Sequence, residues 1–248
     1  MGAAHFLVSP ADLTEGFFFL RGPALHHARV LRLRVGEPVQ AADGTGRLAK
    51  GRVAALGPDA IEATVDSLEV LERARPRLVV VPGIPKAGKL DEVIRRLAEL
   101  GVAEVRPVVT ERTEVRWDGG KAAAALARWQ TISTEAGQQS RQVFPMQVAP
   151  VRPLVEAVCA SDGVAELPCV VLWEEATERL RTLLPPAGRP PERLLLVVGP
   201  EGGLTAREVA SLTERGAGVA GLGASILRAE TAPVAAVAVC LYHFGLFG

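Results

Sequence analysis

The chain has 248 residues, 48% of them hydrophobic and 23% charged, enough to bury a core in one large or two modest domains. Lys plus Arg and Asp plus Glu both number 28, so no global field draws the protein to a polyanion and any nucleic-acid contact must come from a local patch. Cys159, Cys169 and Cys240 form no C-x-x-C pair and no metal-ligand cluster stands out, no stretch reaches membrane-spanning length, and the opening MGAAHFLVSPADL is no signal peptide, so a soluble, metal-free protein of the reducing cytoplasm is expected.

From Ala4 to Leu71, short apolar runs such as HFLVS, GFFFLRG and RLAKGRVAAL alternate with turn residues, which predicts a small β-rich domain. Pro23 suits the first turn of a short helix through ALHHARVLRL, because proline's missing N–H is unpaired at a helix start anyway. RARPR, Arg73 to Arg77, reads as a linker, so the division falls near Pro76, into residues 1–75 and 76–248.

Beyond it the rhythm becomes strand, loop, helix: RLVVVPGI, KLDEVIRRLAELG, EVRPVVT. Leu90, Val93, Ile94, Leu97 and Leu100 share one helix face, and Gly101 can supply a left-handed cap. A second helix is predicted from Lys121 to about Gln139, strands at Cys169 to Trp173 and Leu194 to Val198, and a surface loop from Leu183 to Arg193. Thr205 and Glu208 make the S/T-x-x-E box of a helix ending near Gly216, followed by a short strand at Val219 to Leu222 and an apolar helix from Glu230 to Phe244. This is an alternating α/β domain.

Two segments could carry chemistry. LLLVVGPEGGLTAREV, Leu194 to Val209, joins a buried strand to a capped helix through a glycine-rich turn that is neither G-x-G-x-x-G nor a phosphate loop. Taken alone it is equally a tight structural connection. GLGASILRAETAPVAA, Gly221 to Ala236, is a second such loop, and two of them at the C-terminal ends of strands would form a ligand crevice, which moves the weight toward function. Arg228 lies where that loop meets the helix, with a salt bridge to Glu230 as the competing structural explanation. None of His5, His26, His27 and His243 is a convincing general base, and Glu201 and Glu230 are the nearest acidic groups, with no base role assigned to either.

Between Arg29 and Arg52, six basic residues (Arg29, Arg32, Arg34, Arg47, Lys50, Arg52) face Glu37 and Asp43, a local positive patch. Arg29 and Arg32, three apart, would share a helix face suited to phosphate contacts, against the plainer reading of a solvated surface. Trp117 and Trp129 could stack on bases, though aromatics near helices are more often core.

The ordered set HHARVLRL, the ADG turn at Ala42 to Gly44, LAELGVAEVRPVVTER, RWQTISTEAGQQSR, VVGPEGGLTAREV and LGASILRAETA spans nearly the whole chain and closely resembles the ribosomal RNA small subunit methyltransferase E family. The resemblance implies transfer of a methyl group from S-adenosylmethionine to N3 of a uridine in 16S ribosomal RNA. It implies a small N-terminal PUA-like β-barrel that binds RNA, and an α/β catalytic domain of the SPOUT type whose C-terminal segment forms a trefoil knot. General packing rules alone would argue against a knot. By the same carry-over, Leu172, Trp173, Glu174, Gly199, Pro200, Glu201, Gly202, Gly203, Leu222, Gly223, Ile226, Leu227, Arg228 and Thr231 enclose the cofactor, with Arg228 also catalytic, and His26, Arg29, Arg32, Arg96 and Arg141 meet the RNA. The chain departs from the family pattern at Arg95-Arg96, usually Gln-Lys, at QQSR, usually E-Q-S-G-R, and at Pro233. The competing functions are a noncatalytic RNA-binding or ribosome-assembly factor, which would not bind the cofactor, and a small-molecule enzyme such as a hydrolase, for which Ser225 lacks the G-x-S-x-G elbow.

The final helix suggests a homodimer. APVAAVAVCL, Ala232 to Leu241, has no charge, and one sheet covers only one of its faces. Ala232, Ala235, Ala236 and Ala238 are small enough to admit a second helix, and an identical chain is the simplest partner.

Overall fold

The computed structural model describes residues 3–86, 88–113, 117, 119–159 and 168–247. The chain forms two compact units, Met1–Arg73 with Thr134–Pro145, and Ala74–Ser133 with Met146–Gly248. A linear division of the sequence does not register the return of residues 134–145 to the first unit.

The first unit contains β1 (Ala4–Leu7), β2 (Phe17–Leu20), α1 (Gly22–Val30), β3 (Pro38–Ala42), β4 (Arg47–Leu56) and β5 (Ile61–Val70). The strands form one sheet in the order β1-β3-β4-β5-β2, with β1 parallel to β3 and the other pairs antiparallel. Along β4, Ala49, Gly51 and Val53 are buried while Lys50 and Arg52 are not, the period-two pattern of a sheet with one face on a core. Phe6, Phe18 and Leu20 fill that core with Leu25 and Ala28 of α1. Helix α1 starts at Gly22-Pro23 as the proline requires, but it stops at Val30, short of the predicted Leu33.

The second unit contains β6 (Arg77–Pro82), α2 (Leu90–Glu99), β7 (Glu104–Val105), β8 (Val108–Val109), α3 (Gly119–Gln139), β9 (Gln147–Val148), β10 (Arg152–Pro153), α4 (Leu154–Cys159), β11 (Cys169–Leu172), α5 (Leu180–Leu183), β12 (Arg193–Val198), α6 (Ala206–Thr213), β13 (Gly218–Ala220) and α7 (Ala232–His243). The last turns of α3 group with the first unit. Six strands form a parallel sheet in the order β13-β11-β12-β6-β7-β9, and β8 pairs with β10. The centre of the sheet follows from composition: Leu78 to Val81 and Leu194 to Val198 are buried along their whole length, as strands covered on both faces must be. Leu90, Val93, Ile94 and Leu97 of α2 are buried as their spacing predicts, and Gly101 takes φ +74° to end the helix. Trp129 of α3 is 1% exposed and donates its indole N–H to Asp91 Oδ1 at 3.0 Å, so it is core and does not stack on a ligand.

Helix α7 packs on β6, β12, α2 and α5. It is apolar all round, but its two sides differ. Ala232, Pro233, Ala236, Val237, Cys240 and Leu241 are buried in the chain's own core, whereas Val239 and Tyr242 are 42% and 75% exposed. Ala232 and Ala236 therefore do not belong to a surface open to another helix, as the sequence alone suggested.

Asp43 anchors the ADG turn of the first unit. Its carboxylate accepts hydrogen bonds from the Thr45 N–H and hydroxyl at 2.9 and 2.7 Å and from the Arg47 N–H and Nε at 3.1 and 2.6 Å. Burial alone would raise its pKa; the donors of Thr45 and Arg47 together outweigh it and hold the carboxyl below its ordinary value. A lowered folded-state pKa contributes stability above the unfolded-state value, and that contribution fades as pH falls through the folded-state value. Asp43→Asn should lower the unfolding free energy at neutral pH by about 2 kcal/mol. Urea melts of parent and variant should converge as the pH drops below the usual carboxylate range.

Candidate functional site

Register brings the site together. In the parallel sheet Leu172 pairs with both Val198 and Ala220, so β11, β12 and β13 end at one level and the loops that follow emerge side by side. They enclose a cavity of about 400 Å³ at the C-terminal edge of the sheet, where parallel α/β sheets bind ligands. Of the residues expected around a cofactor, Leu172, Trp173, Glu174, Gly199, Pro200, Glu201, Gly203, Leu222, Gly223, Ile226, Leu227 and Arg228 line it.

Gly202 and Thr231 do not. A Cβ on Gly202 would meet Arg112 Cβ at 3.3 Å, and Gly202 lines a neighbouring hollow with Lys86 and Arg112. Thr231 is the exposed residue that precedes α7. The glycine that needs its missing side chain is Gly203: it has φ +70°, and a Cβ there would lie 2.5 Å from Glu174 Oε1. Gly199 is equally confined, with a Cβ position 2.8 Å from Gly203 C.

The glycine turn is tied down by its capping box. Thr205 Oγ1 accepts from the Glu208 N–H at 3.2 Å, and Glu208 Oε2 accepts from the Thr205 N–H at 2.9 Å. Glu208 is buried, and its other oxygen accepts from the Glu111 N–H at 2.9 Å, which links the loop after β12 to the segment after β8.

Charge in the cavity centres on Lys89, which sequence reasoning missed. Its Nζ lies 3.4 Å from Glu201 Oε1 and 3.6 Å from Glu230 Oε2, so one cation bridges the loops after β12 and β13. Glu201 also accepts from the Lys86 N–H through both oxygens at 3.1 Å. Burial raises its pKa, but its own backbone N–H, that of Lys86 and the Lys89 ammonium outweigh this and hold the carboxyl below its ordinary value. Glu201 thus pairs with a lysine. Arg228 is 83% exposed on its side chain and stands 4.0 Å from Glu230, the limit of an ion pair. Among the described residues, no group of three or more His, Cys, Asp or Glu could hold a metal ion.

Residues 72–241 match the RNA methyltransferase domain family, and residues 20–66 match the RNA methyltransferase PUA domain. The chain is 34% identical to the Ribosomal RNA small subunit methyltransferase E of Mycobacterium bovis, over 93% of this chain and 84% of that one. It is 32% identical to the protein of the same name from Bacillus subtilis, over 91% and 90%. The chain belongs to the ribosomal RNA small subunit methyltransferase E family. Its fold matches the crystal structure of the Neisseria gonorrhoeae methyltransferase E bound to S-adenosyl methionine with a TM-score of 0.83, at 29% identity over 97% of each chain. This member of the methyltransferase E family is therefore an RNA methyltransferase by its domains.

In this methyltransferase, the basic patch of the first unit is smaller than a count along the sequence implies. Arg47 is committed to Asp43 and to the carbonyls of Leu13 and Pro10, while Lys50 pairs with Glu69 and Arg52 with Asp66 across the β4–β5 ladder. Arg29 and Arg32 do not share a helix face. Arg29 lies in the last turn of α1 and donates to Pro58 O, whereas Arg32 lies beyond the helix at φ +55°. His26 is exposed on α1, and Arg141 is exposed at φ +58° after α3, both in the first unit. Arg96, in the second unit, pairs with Glu92 at 2.7 Å. No helix among the described residues is long and apolar enough to cross a membrane.

Proposed function

We propose that this chain transfers a methyl group from S-adenosylmethionine to N3 of a uridine in the 16S ribosomal RNA of the small ribosomal subunit, acting as a cytoplasmic homodimer. The observation that carries this reading is the convergence of the loops after β11, β12 and β13 on one cavity. In this view the second unit is a SPOUT catalytic domain whose C-terminal segment threads a trefoil knot, and the first unit is a PUA-like barrel that holds RNA. The central position of β6 and the packing of α7 on β6 and β12 support the SPOUT assignment; the five-stranded sheet supports the PUA-like one.

The lining suits the cofactor. About 400 Å³ falls within the range of small-molecule sites. A Cβ on Gly223 would meet nothing within 4 Å, so backbone there is open to an adenosine, while Glu174 and Glu201 offer acceptors for hydroxyl or ammonium groups and Lys89 a cation for a carboxylate. The bound cofactor supplies an electrophilic methyl group on a positively charged sulfur. The chain's task is then to position the base and to stabilise charge on it. Arg228, at the cavity and largely exposed, is the residue we assign to the negative charge that develops on the uracil oxygens. His26, Arg29, Arg32, Arg96 and Arg141 are assigned to RNA contact, mostly with phosphates, which positions a strand without reading its sequence.

For the dimer, Ala235, Val239 and Tyr242 recur on the side of α7 turned away from the chain's own core, and Leu246 and Phe247 beyond it are 38% and 52% exposed. These apolar residues form the side we assign to packing on a symmetric copy.

Gly203→Ala should lower S-adenosylmethionine affinity about tenfold or more by displacing Glu174, whereas Gly202→Ala should change it by no more than about twofold, both read by titration calorimetry. Arg228→Ala should depress tritiated methyl transfer to small-subunit particles by about 10²–10³-fold with little change in RNA association. For the assembly, light scattering should find the parent dimeric at micromolar concentration. The pair Val239→Asp and Tyr242→Asp should render it monomeric, whereas a charge at the buried Ala236 would report on folding instead.

A further inference from the structure

We infer that Glu230 is the proton acceptor of the methyl transfer, an assignment that rests on the uridine-N3 reading above. An imide nitrogen must lose its proton to be methylated, and the histidines do not serve. Among the described residues no histidine lines the cavity, and His243 Nε2 lies 2.8 Å from Pro185 O. Three carboxylates line the cavity, those of Glu174, Glu201 and Glu230.

Their surroundings separate them. Glu174 is exposed and lies against Gly203. Glu201 has both oxygens engaged by the Lys86 N–H, with Lys89 at 3.4 Å, so taking a proton would break the contacts that hold its loop. Glu230 is different. Its Oε2 is buried with no hydrogen-bond partner, 3.6 Å from Lys89 Nζ, and its Oε1 stands 4.0 Å from Arg228 Nη1, beyond hydrogen-bonding distance. Two cations flank the carboxylate, yet among the described residues neither supplies it with a hydrogen bond. Acceptor capacity left unused in a partly buried site calls for a donor from the ligand.

The pairing of Arg228 with Glu230 also matches one base. The uracil edge presents an N3–H between two carbonyl oxygens, so a guanidinium meets a carbonyl while a carboxylate meets the N–H. Cytosine has no proton at N3 and carries an amino group beside it, which sets donor against donor at Arg228. In the reaction the N3–H proton passes to Glu230, and the electron pair it leaves forms the new N3–methyl bond. The bond from methyl carbon to the donor's sulfonium breaks, and its pair returns to sulfur as a neutral thioether.

The test uses the full chain with S-adenosylmethionine and small-subunit particles in single turnover. Glu230→Gln keeps the size and polarity of the side chain, so calorimetry should find cofactor affinity changed by no more than about twofold. Its transfer rate at neutral pH should fall about 10²–10⁴-fold, the usual contribution of a positioned base. The deficit should narrow as pH rises and the imide ionises without help. The other groups facing Glu230, Lys89, Arg228 and Glu201, are the same in parent and variant and leave that comparison intact. Glu230→Asp, which retains a carboxylate, should recover part of the rate and the parent's pH profile. A Gln variant that transfers at the parent's rate, or one whose deficit is the same at every pH, overturns the assignment. A parent that methylates no uridine at N3 overturns the proposed function instead, whatever the variants do.

Discussion

Everything in the second unit that bears on function depends on the register of three parallel strands. Leu172, Val198 and Ala220 stand in one row, so three segments separated by many residues deliver their loops to a single edge. Parallel pairing of this kind requires strands buried on both faces, and VVL at Val170 to Leu172 and LLLVV at Leu194 to Val198 meet that requirement without a charged residue. Had any of the three been shifted by two residues, its loop would move by more than 6 Å along the sheet and the cavity would open.

The same closeness explains the glycines. A Cβ on Gly199 would run into the backbone of Gly203 and Leu204, so a side chain there would distort the turn, and one on Gly203 would displace the Glu174 carboxylate. The loops are then held by charge. Lys89 reaches Glu201 and Glu230 from the start of α2, and the buried Glu208 grips both its own helix cap and the Glu111 N–H. The capping box reappears as a support for the site, since the helix start it satisfies lies directly after the glycine turn.

In a chain with zero net charge, where the charges sit matters more than how many there are. Much of the first unit's basic stretch is consumed internally: Asp43 takes Arg47 for a turn, and β5 sets Glu69 and Asp66 against Lys50 and Arg52. What remains available for a polyanion lies around the end of α1. In the cavity the balance is reversed, with three carboxylates against Lys89 and Arg228, which suits a ligand that carries a sulfonium and an ammonium group more than it suits a phosphate.

Sequence alone determined what is encoded over a few consecutive residues. The buried face of α2, the left-handed Gly101, the Thr205–Glu208 box, the fully apolar central strands and the β-rich first unit all follow from periodicity and turn chemistry, which need no distant partner. Tertiary structure alone decided what depends on direction and on remote contact. Lys89 enters the cavity only because the sheet order sets β6, and α2 after it, beside β12, more than a hundred residues away in the chain. Gly202 and Gly203 are identical and adjacent, yet one faces Arg112 and the other Glu174, because successive residues in a turn point different ways. Arg32 leaves the helix face its spacing implied because α1 ends one turn early. On a helix apolar all round, which side is buried was settled by the sheet it packs on: Ala236 went inward and Tyr242 outward.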